Sequence, residues 1–183
     1  MEVTEQTITT NTSNIKVLKR DGRLEPLDID KIHFVVEEAC EGLSGVSSSQ
    51  IEINANIQFY DGITTKDIQH VLVKSANDLI SLESPNYQYA AARLLSYDVR
   101  KEAHGQYEYI PLLKLILRNI KLGVYDRTIV EKYHKSEIKK LNTWIKRDRD
   151  LDFTYAGLRQ VVDKYLCKTE AQVNFMKLHK ICT

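Results

Sequence analysis

A chain of 183 residues has room for one domain, or for a small domain and part of another, and its net charge of +1 offers no global attraction to nucleic acid or an anionic membrane. Apolar residues at 43% and charged residues at 28% are ordinary for a water-soluble globular fold. Cys40, Cys167 and Cys182 lack CxxC spacing, which argues against a zinc ribbon or a secreted disulfide framework.

Residues 1–14 are Thr- and Asn-rich without an apolar core, so a disordered leader is expected rather than a signal peptide. No apolar stretch approaches the roughly 20 residues that cross a bilayer, and the cytoplasm is the expected compartment. Ile15 and Val17 lead into Asp21-Gly22, with Leu24 and Leu27 on the return arm, which predicts a short β-hairpin. Asp28 or Asp30 caps a first helix carrying Ile32, Val35, Val36, Ala39 and Leu43 at helical spacing, ended by Gly42 and Gly45. The serine run 47–49 caps a second, with Ile51, Ile53 and Ile57, stopped near Asp61-Gly62. Thr64 or Thr65 starts a third, with Ile68, Leu72, Ala76 and Leu79 on one face. Pro85 suits the first turn of a fourth, which runs past Leu95 and Val99 to Gly105. Pro111 opens a helix ended by Gly123, and helical segments follow over 126–147 and 154–165.

Chemistry is sparse along this chain. The five histidines show no metal-binding spacing, and Walker, GxGxxG and GxSxG patterns are absent. Lys19 and Arg20 precede the hairpin turn and Lys31 opens the next helix, so folding brings together cations suited to phosphate. From spacing alone a solvated basic turn is the simpler reading. Likewise Arg100-Lys101 suits the negative end of the fourth helix, and the run 146–150 a solvated helix end. Trp144 and most of the ten tyrosines read as half-buried packing residues.

The stretch VLKRDGRLEPLDIDKI (17–32) resembles the signature of the ATP-cone. IQFYDGITTKDIQ (57–69), PNYQYAAARLLSYDVRKEAHGQYE (85–108), YDRTIVEKY (125–133) and RDRDLDFTYAGLRQVVDKYL (147–166) are similar to the large (alpha) subunit of class I ribonucleoside-diphosphate reductases. The resemblance implies a mainly α fold: an ATP-cone over 15–105, a small β-hairpin or sheet over about four helices, then over 106–166 the helical start of the large-subunit domain. It also implies ATP or dATP as allosteric effector, with magnesium. Lys19, Arg20 and Lys101 are then expected on the phosphates. Glu25, Pro26, Leu27, Asp28, Ile29, Asp30 and Lys31 are expected along the adenine and ribose, beside Val17. Thr65 is expected to offer its hydroxyl to a phosphate or a metal-bound water. Two positions depart from the family: Asp28 stands where Asn is frequent, and Gln69 where His is frequent.

None of the three cysteines matches a catalytic position of the family, so this chain alone is expected to be inactive as a reductase. After Leu166 the likeness stops, where the family continues with a segment resembling Gln-Asn-Arg-x-Thr-Gly-Glu-Ile-Tyr-Glu-Thr-Pro-Gln. One permitted codon choice for the tail 167–180, read from its third base, yields Gln-Asn-Arg-Ser-Thr-Gly-Glu-Phe-Tyr-Glu-Thr-Pro-Gln. The tail 167–183 is therefore expected to be an out-of-frame product, poorly ordered and without function. The expected role is that of a truncated or split large subunit that keeps its nucleotide site. Its partners would be the remaining large-subunit fragment or the small subunit. The alternative is a stand-alone nucleotide-binding module that docks on a reductase.

Overall fold

The computed structural model describes residues 15–169 and 172–178; the expectations for the leader 1–14, His179 and Cys182 lie outside them. β1 (Lys16–Leu18) and β2 (Leu24–Pro26) form the antiparallel hairpin, with Val17 opposite Glu25. Its turn closes through Gly22 N–H donating to the Lys19 carbonyl at 3.0 Å, with Gly22 at φ +84°, a backbone that favours glycine. β3 (Ile63–Thr64), which the sequence reading missed, lies parallel to β1 and completes a sheet of order β2-β1-β3. Two residues are too few to carry a periodic signal. Tertiary bonds place them instead: Lys16 N–H donates to the Asp61 carboxylate, and Gly62, at φ +82°, donates its N–H to the Lys16 carbonyl, both at 2.8 Å.

α1 (Ile29–Cys40) starts at Asp28, whose carboxylate accepts from Lys31 N–H, and buries Ile32, Val36 and Ala39. α2 (Ser48–Asn56) is capped by Ser47 and buries Ile51 and Ala55. Ile53 and Ile57, read from the sequence as part of its apolar set, point to water instead, Ile57 with 78% of its surface exposed. Ile53 is two residues from Ile51, half a turn round the helix, and Ile57 falls beyond its last turn. α3 (Thr65–Asp78) begins at the Thr64 cap, and α4 (Tyr87–His104) ends at Gly105. Pro85 sits just ahead of α4 rather than in its first turn, its carbonyl accepting from Gln88 N–H at 3.1 Å. Ala90, Ala91 and Ala92 are all buried, and these small side chains let α4 lie close to α3 and α1.

Beyond Pro111 come α5 (Leu112–Lys121), α6 (Thr128–Lys132) and α7 (Lys135–Trp144). The single helix expected over 126–147 is thus broken at Tyr133-His134, where His134 and Glu137 form a capping box that starts α7 afresh. The charged run expected to be a solvated helix end forms a 3-10 turn (Arg147–Asp152). α8 (Tyr155–Gln160) follows and continues through a π turn (Val161–Tyr165). Leu158 and Val162 enter the same apolar cluster as Val17, Val36, Ile51, Leu72 and Leu94, so one core unites the first helices with the segment after Gly105. Trp144, expected half-buried, is 65% exposed, and Tyr60, Tyr133 and Tyr165 are exposed as well, while Tyr87 and Tyr97 are buried.

The tail, expected without order, pairs β4 (Leu166–Thr169) with β5 (Gln172–Leu178) in an antiparallel ribbon. The apolar–polar alternation from Gln172 to Phe175 suits a strand whatever its origin.

Candidate functional site

The sheet edge and three helices converge on one cavity of about 140 Å³. β1 contributes Val17 and, just beyond its end, Lys19. Pro26 and Leu27 enter from the return arm of the hairpin, Asp28 and Lys31 from the start of α1, Thr65 and Gln69 from the first turns of α3, and Lys101 from the last turn of α4. Ile32, Val35, Ile68 and Leu72 complete the lining with apolar surface. By their helical spacing alone these four are core positions. Helical spacing identifies an inward face, and only the tertiary arrangement decides whether that face meets core or cavity. A shallower groove of about 470 Å³ adjoins, sharing Asp28, Lys31, Val35 and Lys101 with the cavity and adding Asp30, Phe34 and Tyr107.

Nine of the thirteen residues proposed from the sequence thus line one cavity. Asp30 lines only the adjoining groove. Arg20 stands outside the lining, its guanidinium donating to the Lys101 carbonyl at 3.5 Å. Glu25 accepts ion pairs from Lys19 and Arg23, both at 3.3 Å. Ile29 is exposed at the start of α1. Lys19 and Lys101, 82 positions apart in sequence, face the same space.

Charge in the cavity is unevenly compensated. Lys31 pairs with Asp28 at 2.7 Å, an interaction that lowers the carboxyl's pKa and raises the ammonium's. The Lys101 ammonium is instead pushed below its ordinary range, first by burial and then by the cations Arg20 and Lys19, with only Asp98 acting in the other direction. Asp98 is buried between α3 and α4, 7% exposed, and burial together with Glu102 raises its pKa. His70 lies 3.5 Å from Asp98, and Lys66 pairs with Glu102 at 2.9 Å. Gln69 is tethered, its amide donating to the Leu94 carbonyl at 2.8 Å, which fixes the orientation of its side chain. The arrangement is a cleft with apolar walls and a cationic end, suited to a ligand with a flat apolar part and a polyanionic part.

Among the described residues no group of three or more His, Cys, Asp or Glu could hold a metal ion. Burial pushes the Cys40 thiol up to about 11, which leaves it protonated and unreactive near neutral pH. No helix among the described residues is long and apolar enough to cross a membrane.

The ATP cone domain family matches residues 15–102. Ribonucleoside-diphosphate reductase 1 subunit alpha of Escherichia coli (strain K12) is 46% identical over 153 residues, covering 84% of this chain and 20% of that protein. The subunit of the same name from Salmonella typhimurium is equally similar, and ribonucleoside-diphosphate reductase subunit alpha of Helicobacter pylori (strain J99) is 39% identical over 154 residues. The chain spans about one fifth of the length of these relatives. On fold and sequence together, residues 15–102 match the ATP cone domain family, and the chain is similar to the N-terminal region of the ribonucleoside-diphosphate reductase alpha subunits.

Proposed function

We propose that this chain is the effector-sensing region of a ribonucleoside-diphosphate reductase large subunit, and that its cavity takes ATP or dATP with magnesium. The observation that carries the reading is the convergence of Lys19 and Lys101 on one cleft in which the Lys101 ammonium is held unfavourably by burial and by like charge. A triphosphate there turns those repulsions into attractions and makes charge-assisted hydrogen bonds. Val17, Leu27, Ile32 and Val35 offer apolar surface to the base, and Thr65 a hydroxyl to a phosphate oxygen or to water on the magnesium. Together the cavity and its adjoining groove reach the several hundred Å³ that such ligands occupy.

Titration calorimetry with magnesium and either ATP or dATP tests the reading. Replacing Lys19 by Ala should weaken binding by about 1.5–3 kcal/mol, the range for a hydrogen bond to a charged group. Heats of dilution alone from the parent chain would remove the site. The partners proposed with this role are the rest of the large subunit or the small subunit. The alternative role, a free-standing module docking on a reductase, is separated from it by co-purification with a catalytic fragment. For residues 167–183 an out-of-frame origin is proposed, and DNA sequence across codons 164–183 decides it.

A further inference from the structure

Next to Lys101, but on an adjacent face of α4, Arg100 enters an aromatic cage. Its guanidinium carbon lies 4.7 Å from the ring centre of Tyr97, 5.4 Å from that of Tyr107 and 4.6 Å from that of Tyr109. The Arg100 Nε atom is buried without a hydrogen-bond partner, and the three rings add cation–π attraction for this cation. Each of two cage residues is tied to a different element. The Tyr107 hydroxyl donates to Glu38 on α1 at 2.5 Å, and the Tyr109 hydroxyl donates to Asp150 in the 3-10 turn. The Arg147 guanidinium, from the start of that turn, also lies over the Tyr109 ring, 4.8 Å from its centre.

The stack runs from the last turns of α4, which hold Lys101, to the segment that leads into α8. Lys101 and its neighbours Lys19 and Arg20 repel one another, and a polyanion bound among them reverses the sign of that force. The backbone of α4 also feels the hairpin directly, through the Arg20 bond to the Lys101 carbonyl. A shift of this last turn moves Arg100 with it, and the cage leaves a guanidinium little freedom to slip. Resting on the nucleotide reading of the cavity, we propose that the Arg100–Tyr109–Arg147 stack transmits occupancy of that cavity to the Arg147–Asp152 turn and α8. The stack thereby places the helical segment after the cone under nucleotide control.

Hydrogen exchange with and without magnesium ATP, run beside calorimetry on the same chain, tests this. Saturating ATP should slow amide exchange over 147–162 by about fivefold, a modest coupling between sites. Tyr109→Leu should keep ATP affinity within about twofold, as expected for a residue outside the cavity, yet lose the change over 147–162. Tyr109→Phe keeps the ring and should keep the response. Arg147→Ala, at the outer end of the stack, should behave as Tyr109→Leu does and guards against a folding defect in that variant. If ATP binds the parent chain and exchange over 147–162 does not change, the relay is overturned while the nucleotide site stands. The same holds if the change persists in both Tyr109→Leu and Arg147→Ala. Absence of ATP binding in the parent removes the site and the relay together.

Discussion

Asp28 has two opposed roles at the mouth of the cavity. Its carboxylate caps α1, accepting from Lys31 N–H at 3.1 Å, and holds the Lys31 ammonium at 2.7 Å. The lowered pKa of this group, caused first by its bond to Lys31, keeps it ionised at neutral pH, where it faces any incoming triphosphate. Asn caps a helix about as well and carries no charge. Asp28→Asn should therefore tighten ATP binding roughly threefold to tenfold, the scale of one partly screened charge, while leaving the melting temperature nearly unchanged. Calorimetric affinities that stay equal or weaken would show that Lys31, once freed, gains nothing from the ligand. The two departures from the reductase family noticed in the sequence differ in kind. Asp28 acts by charge, whereas Gln69 is anchored to the Leu94 carbonyl and acts by position.

At the scale of elements, helix starts are where single side chains carry the most. The Thr64 hydroxyl accepts from Asp67 N–H at 3.0 Å and donates to the Asp67 carboxylate at 2.7 Å, so it joins the end of β3 to the first turn of α3. Thr64→Ala should cost about 1 kcal/mol, measured by denaturant unfolding. A value near zero would mean that water replaces the cap. The seam between α1 and α2 depends on pH. His33 lies 2.8 Å from Glu52 and 3.1 Å from Glu37, and its pKa is raised, first by the bond to Glu52. Its folded value lies above its unfolded one near 6.5, so the stabilisation is complete below that pH. It is lost as pH rises through the raised value. Melting temperatures followed upward from pH 6.5 should fall in the parent chain and change less in His33→Gln; parallel profiles would dismiss the pair as a source of stability.

For the molecule as a whole, the shared core makes a further demand. Leu158 and Val162 of the later segment pack in the same cluster as Val17 and Leu72, which are also among the residues that line the cavity. The described residues should therefore unfold in one transition. With free ATP at about 100 times its dissociation constant, stability should rise by about 2.7 kcal/mol in a single calorimetric transition. Two transitions, only the earlier of them moved by ATP, would show that the core is energetically divided.

Much of this protein was legible in its residues because the signals are local. Asp21-Gly22 demands a tight turn, Asp28 and Ser47 start helices by their own side chains, and the 3.6-residue spacing of Ile32, Val36 and Ala39 selects a buried face. The cations Lys19, Lys31 and Lys101 were also visible, though spacing alone favoured solvated surface for the first two and a helix-end role for the third. Only the fold decided what depends on distant partners. β3 exists because Val17 and Leu18 pair with Ile63 and Thr64, and Ile53 faces water because none of the described residues covers that side of α2. Arg100 and Lys101, adjacent in sequence, part into an aromatic cage and a cationic cleft because a helix turns about 100° per residue and different elements wait on each face.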